Sequence, residues 1–315
     1  MSYSSALGYR TPVQDLGGKV AVVTGGGGGI GRALGERFLA AGMRVVLSDI
    51  DEPLLAGTVD VFAGRFGDAV IGVPTDVAQL ESVERLRDAT LDAFGAAHLV
   101  CNNAGIPSGS DGALWEHHVN DWRWALDVNV LGVIHGINTF LPVLLEQGEG
   151  HVVNTSSSNG TFAPLSNSAV YATTKAAVTT ITECLWGQLR SIDAPVQASL
   201  LLPSTRTPGA LDTGIWRPGR NRPERYARPG QAPVEGRDAL TPFVEQLEQH
   251  GQELVFAPIE EVAEIALEGI LADQFWIYLP SERSRATVDG RAASMRDALP
   301  PDYLIAPSPW NVPKK

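Results

Sequence analysis

Thr24-Gly25-Gly26-Gly27-Gly28-Gly29-Ile30-Gly31 follows directly on the apolar run Val20-Ala21-Val22-Val23 and leads into Arg32-Ala33-Leu34-Gly35-Glu36-Arg37-Phe38-Leu39-Ala40-Ala41. The apolar run reads as a buried strand. The segment after the glycines places apolar residues at helical spacing, with Gly42 as a natural stop. Strand, glycine turn and helix start form the setting in which a loop can hold a pyrophosphate. Without side chains, backbone N–H groups and the helix N-terminus can approach phosphate oxygens closely. A flexible linker has the same composition, but linkers do not stand between a core strand and an amphipathic helix.

Outward from this loop, strand and helix signals alternate. Strands are expected near Arg44–Ser48, Ala69–Val73, Leu99–Asn102, His151–Thr155 and Val196–Leu202. Helices are expected near Pro53–Phe66, Leu80–Phe94, Val119–Gln147 and Ser168–Ser191. Repeated βα units of this kind predict a Rossmann-type, doubly wound parallel sheet with helices on both faces. The pattern breaks at residues 203–233, rich in Pro, Gly and Arg, and returns with a helix at Pro258–Leu271 and a short strand at Phe275–Leu279. The expected division is a mobile tail at 1–17, one domain at 18–280 with a substrate-covering insertion at about 204–255, and a C-terminal extension at 281–315.

The chain has 315 residues, a net charge of −12 and two cysteines. The acidic balance argues against nucleic acid and against an anionic membrane surface. Val128 to Leu145, the most apolar long stretch, is interrupted by His135, Gly136, Asn138 and Pro142 and reads as a buried helix rather than a membrane span. The first ten residues lack the pattern of a signal peptide, and Cys101 and Cys184 read as core thiols, so a cytoplasmic protein is expected. The adjacent pair His117-His118 does not share a helix face, and no other set has ligand spacing, so no metal is expected.

Three further stretches join the glycine loop: Asn102-Asn103-Ala104-Gly105 after the fourth strand, Asn129 in the long helix, and Tyr171-Ala172-Thr173-Thr174-Lys175 opening another helix. Together they resemble the classical short-chain dehydrogenase/reductase family, over roughly residues 18–203 and the helix and strand near 258–279. The resemblance implies a seven-stranded sheet, a nicotinamide cofactor and a Ser-Tyr-Lys-Asn catalytic set. It assigns cofactor contacts to Gly25, Gly29, Ile30, Gly31, Asn103, Ala104, Gly105, Tyr171, Lys175 and Pro203, and to Asp76-Val77 near the adenine. The alternative reading of Asp76 is a helix cap. After the sixth strand the family pattern is roughly Pro-Gly-x-Val-x-Thr. This chain has Pro203-Ser204-Thr205-Arg206-Thr207, which leaves Thr207 for the carboxamide contact in a shorter, glycine-free loop.

The chemistry can also be argued from the residues. Tyr171 and Lys175 stand four apart, on one helix face. A free phenol with a pKa near 10 is a poor base at neutral pH, and a neighbouring ammonium favours the phenolate. The ordinary reading of an isolated pair is a buried Tyr and a solvated Lys. In Asn154-Thr155-Ser156-Ser157-Ser158-Asn159-Gly160, at a strand end, a hydroxyl could orient a substrate oxygen. Strand register points to Ser157, and the usual spacing to the tyrosine points to Ser158; the strand register favours Ser157. Asn129, unfavourable in a helix interior, matches the family asparagine that holds a water linked to the lysine.

Asp49 closes the second strand at the distance expected of a ribose-binding acid. A 2′-phosphate beside it would meet like charge, at about 4 kcal/mol for unit charges 4 Å apart. NADP-preferring relatives often carry a basic residue where this chain has Gly28, so NAD is expected over NADP. Residues 219–226 and His151–Thr155 are locally similar to bacterial dehydrogenases of the Cα alcohol in lignin-derived β-aryl ethers. The expected substrate is a secondary alcohol or ketone of hydrophobic or aromatic character, with Trp216 and Tyr226, and also Trp115 and Phe162, as pocket candidates. The apolar faces of Val128–Leu145 and Val170–Leu189 suggest self-association, and the resemblance implies a homodimer or homotetramer. The competing reading is a catalytically idle dinucleotide-binding regulator on the same fold.

Overall fold

The computed structural model describes residues 15–107, 113–217, 219, 221–228, 244, 248 and 253–304. The expected tail at 1–14, most of the insertion beyond residue 228 and the extension beyond residue 304 lie outside the described residues. Leu16, inside the stretch expected to be a tail, is buried against the core.

Seven parallel strands form one sheet: β1 (Val20–Thr24), β2 (Arg44–Asp49), β3 (Val70–Pro74), β4 (Leu99–Asn102), β5 (Gly150–Thr155), β6 (Val196–Leu201) and, last in sequence, β9 (Trp276–Ile277). Their order is β3-β2-β1-β4-β5-β6-β9. Two short strands, β7 (Ala210–Leu211) and β8 (Phe256–Ala257), pair separately across the insertion. The order reverses between β1 and β4, so the crevice at their carboxyl ends is where a parallel sheet of this type receives its ligand.

Strand alternation divides the core. Ala21, Val23, Val45 and Leu47 face one layer, with helices α1 (Gly29–Ala40) and α2 (Glu52–Phe66) supplying Phe38 and Phe62. Val20, Val22 and Val46 face the other, against Leu86 of α3 (Leu80–Phe94). Both faces being covered is why these strands are continuous apolar runs rather than alternating ones.

The long helix expected at Val119–Gln147 is present but not uniform. It consists of α4 (Val119–Leu126), a π-helical turn at Asp127–Leu131, and α5 (Gly132–Gln147). By length and apolarity this run would suffice to cross a bilayer; here Phe140 and Leu144 are buried against the sheet. After β5 come the short helix α6 (Ser158–Thr161), helix α7 (Ala169–Ser191) and, beyond the insertion, α8 (Glu260–Leu271). Cys101 is buried as expected, whereas Cys184 is exposed, because its position on α7 faces away from the sheet. Helix α9 (Glu282–Arg296) was not foreseen. Its start signal is Ser281, which accepts from the Ser284 N–H at 3.0 Å while the Ser284 hydroxyl accepts in return from the Ser281 N–H at 2.9 Å.

Candidate active site

The glycine loop shapes one end of a cleft of about 310 Å³. Gly25 and Gly29 take φ values of +68° and +53°, and a Cβ on Gly31 would stand 2.1 Å from the Gly25 carbonyl oxygen. Only glycine fits these positions. Gly28 begins α1 with no side-chain cap, which leaves N–H groups of the first turn open towards the cleft. An uncapped helix start behind side-chain-free backbone is a fitting cradle for a pyrophosphate. Gly25, Gly29, Ile30 and Gly31 all border the cleft, as expected.

Asp49 lies at the adjoining wall, nine-tenths buried. One carboxylate oxygen accepts from the Gly27 N–H at 3.1 Å and the other from the Asp51 N–H at 3.0 Å. The acid is thereby fixed by the loop it serves. Asp76 and Val77 border the same end. Asp76 accepts from the Ala78 N–H at 3.1 Å in the turn before α3, whose N-cap is Gln79, so it does not cap that helix; it pairs with Arg225 of the insertion at 2.6 Å.

Asn103, Ala104 and Gly105 cross the middle of the cleft. Asn103 donates to the Thr24 carbonyl at 3.0 Å and accepts from the Thr155 hydroxyl at 3.3 Å, joining the ends of β1, β4 and β5. Asn129 sits in the π turn, fully buried. It accepts from the Ile106 N–H at 2.8 Å and donates to the Ile106 carbonyl and to the Thr174 hydroxyl, both at 2.9 Å. Both amide protons are spent on the protein, so Asn129 pins the loop after β4 to α7. A π turn is a frequent companion of functional sites. A Cβ on Gly105 would come within 3.3 Å of Lys175 Nζ and 3.4 Å of Asn129 Oδ1.

Tyr171 and Lys175 border the far end from one face of α7. Lys175 Nζ donates to the Thr155 carbonyl at 2.9 Å and stands 5.7 Å from the Tyr171 ring centroid. Burial lowers the lysine to about 8. Burial also pushes the Tyr171 phenol up to about 12, and only a hydrogen bond with Ser157 opposes it. The expectation that the ammonium dominates the phenol is therefore corrected for this state: desolvation outweighs charge. Of the serine run, Ser156 borders the cleft and Ser157 does not; Ser157 stands beside the phenol and accepts from the Asn159 N–H at 3.2 Å. Ser156 is turned inward, donating to the Lys175 carbonyl at 2.8 Å.

Pro203 borders the cleft, but Thr207 does not. Its hydroxyl donates to Glu261 at 2.5 Å and its N–H to the same carboxylate at 2.8 Å, tying the shortened loop to the start of α8. Thr213 stands at the cleft instead, its Cβ 3.4 Å from a Cβ placed on Gly29. Trp216 and Tyr226 are likewise outside the lining. Trp216 donates to the Leu211 carbonyl at 2.7 Å, and Tyr226 is buried against Trp124 with its hydroxyl donating to Asp127 at 2.7 Å. Trp115 is exposed, and Phe162 packs on Tyr278. Apolar lining comes from Ile215 of the insertion, as its sequence suggests, and from Ile106, Trp124 and Val128, which the sequence did not mark.

A second missed contributor is Arg291 of α9. Its guanidinium donates to the carbonyls of Gly160, Thr161 and Phe162 at 3.3–3.4 Å, at the end of the loop that carries Ser157.

Residues 19–218 match the family of short chain dehydrogenases. An oxidoreductase of Staphylococcus aureus (strain N315), SA2266, is 35% identical over 197 residues, 62% of this chain and 80% of that protein. Among solved structures, a short chain dehydrogenase/reductase from Burkholderia phymatum in complex with NAD is 38% identical, with a TM-score of 0.78, over 91% of this chain and 97% of that one. LigO from Sphingobium sp. strain SYK-6, solved in its apo form, is 27% identical with a TM-score of 0.69, over 91% of this chain and 90% of its own. The glycine cradle, the sheet order and the extent of these matches make this chain a member of the short-chain dehydrogenase/reductase family, an oxidoreductase built around a nicotinamide dinucleotide site.

Proposed function

We propose that the protein interconverts a secondary alcohol and a ketone, with NAD preferred over NADP. The observation that carries this reading is the pairing of Tyr171 and Lys175 at one end of the cleft whose other end is the glycine cradle, with Ser157 beside the phenol. Gly25, Gly29, Ile30 and Gly31 would hold the pyrophosphate and Asp49 the adenosine ribose. Asp76, Val77, Asn103, Ala104, Gly105 and Pro203 would complete the cofactor site. When bound, the cofactor accepts or supplies a hydride.

Ser157 would donate to the substrate oxygen and orient it. Tyr171 would take the hydroxyl proton in oxidation and return it in reduction, as the acid/base group. Lys175 is held beside Tyr171 by its bond to Thr155. Asn129 would serve by positioning Ile106 and Thr174. Ile106, Trp124, Val128 and Ile215 suit a hydrophobic or aromatic substrate, and the local similarity to dehydrogenases of β-aryl ether alcohols points the same way. The described part of the insertion would cover this cleft.

Asp49 supports NAD because its buried charge, aligned by Gly27 and Asp51, would oppose a 2′-phosphate. Self-association would use the exposed apolar groove of Ile134, Ile137, Ala177 and Ile181 between α5 and α7, with a second copy as occupant. A cytoplasmic setting fits this reading, with neither nucleic acid nor a membrane as partner.

The test is turnover of a panel of secondary alcohols with NAD, followed by NADH absorbance, in wild type and Tyr171→Phe. Loss of kcat by a factor on the order of 10²–10⁴, with cofactor binding retained, is expected. Near-normal turnover in the variant would overturn the acid/base role, and tight NAD binding without turnover of any alcohol or ketone would favour the idle regulator.

A further inference from the structure

The described part of the insertion lies against the cofactor half of the cleft. Thr213 stands over Gly29 of the glycine cradle. Arg217, Asn221 and Pro223 share the cleft lining with Asp49, Ile50 and Leu54. Asn221 Nδ2 donates to Asp51 Oδ2 at 3.3 Å, and Arg225 Nη2 pairs with Asp76 Oδ2 at 2.6 Å. Asp51 and Asp76 follow β2 and β3, the adenosine side of a sheet whose Tyr171 and Lys175 lie beyond β4 and β5.

We propose that the described residues between Thr213 and Arg225 form a nucleotide clamp, with Asn221 and Arg225 as its latches over the adenosine end of the cofactor. This rests on reading the cleft as a nicotinamide dinucleotide site, and it assigns the segment to cofactor retention in addition to covering substrate. The anchoring differs between its two sides. Within and just after the clamp, Arg222 and Arg228 pair with Asp121 at 2.7 and 3.0 Å, and that side chain is only 1% exposed. Tyr226 adds its bond to Asp127. Removing one member of such a buried set leaves an uncompensated charge, so this side stays closed. At the front, the Arg225 side chain is 41% exposed, and exposed pairs of this kind are weak and screened by salt. A firm hinge with a weak latch lets the segment open for exchange while slowing release.

The experiment measures NADH release by stopped-flow fluorescence, displacing NADH with excess NAD, in wild type and in the double variant Asn221→Ala/Arg225→Gln. Release should accelerate on the order of tenfold in the double variant. Wild-type release should quicken with salt, the double variant should lose much of that dependence, and Arg225→Lys should restore most of the slow release. Both substituted side chains lie on the protein's outer segment, and a thermal melt checks that folding is kept. In limited trypsin digestion, NADH alone should protect Arg217–Arg228, with no substrate present. Unchanged release together with protection that requires substrate would overturn the clamp and leave a substrate lid. If folded wild type binds neither NADH nor NADPH, the cofactor reading itself fails, and the clamp with it.

Discussion

Lys175 Nζ donates to the carbonyl of Thr155 at 2.9 Å, so the last residue of β5 holds the cation of α7 in place at the floor of the cleft. The lysine is charged at neutral pH despite its burial, which lowers its pKa from 10.5 to about 8. Between these values the unfolded chain binds more protons than the folded one, so stability should rise with pH across that window. The cost of burying the charge is full below about 8 and vanishes above 10.5, a difference of roughly 3 kcal/mol at most. Tyr171 acts oppositely above 10, where its raised pKa makes the folded state the better proton binder. Urea unfolding at a series of pH values from about 7.5 to 9.5 should show a rising slope in wild type that is flattened in Lys175→Met.

Ser157 stands beside the Tyr171 phenol, whereas Ser158 begins α6. Ser157→Ala should lower kcat by about 10²-fold, and Ser158→Ala by only a few-fold. Steady-state kinetics with one alcohol decides the order; a reversed ranking would transfer the orienting role to Ser158.

Asp49 both supports the Gly27 N–H and places its charge at the cleft. Asp49→Asn keeps an acceptor and removes the charge, while Asp49→Ala removes both. NAD should weaken in each, and the ratio of kcat/KM for NAD over NADP should fall by about tenfold or more. A wild type that prefers NADP would defeat the electrostatic argument at its first step.

Arg291 reaches three successive carbonyls where the Ser157 loop ends. A cation beside the carbonyls of a helix end stabilises them. Arg291→Ala should therefore lower kcat several-fold while moving the melting temperature by only a few degrees, and Arg291→Lys should recover part of the loss. An unchanged kcat would reduce α9 to packing.

The groove between α5 and α7 has Ile137 and Ile181 along it and Trp186 exposed on the same helix. Light scattering at micromolar concentration should give a multiple of the 33.5 kDa chain mass. Ile181→Glu should shift it towards the monomer, since a charge placed in an apolar contact is costly to bury.

Local patterns determined a great deal here. The β-branched run before the glycines, the glycine loop and the four-residue spacing of Tyr171 and Lys175 are short-range signals, and each stands in the predicted element. Repeated βα units marked a parallel sheet with helices on both faces, because parallel strands need crossovers and crossovers have a fixed hand. The elements missed were those with weak or interrupted local signals. The π turn at Asp127–Leu131 does not break the apolar spacing, and α9 is polar on most of its surface, leaving only its Ser281 start to mark it.

What the tertiary structure decided were relations between residues far apart in the chain. Ser157 and not Ser156 meets Tyr171 because the strand end turns Ser156 inward towards the carbonyl of Lys175. Thr207 leaves the cleft because Glu261 of α8 takes its hydroxyl, and Thr213 stands in its place. The insertion meets Asp51, Asp76, Asp121 and Asp127 because the chain after β2, the chain after β3 and the long helix are brought together only in the folded molecule. Sequence spacing encodes which face of an element a side chain occupies; it carries no information about which distant charge will stand opposite, since that depends on how the layers pack.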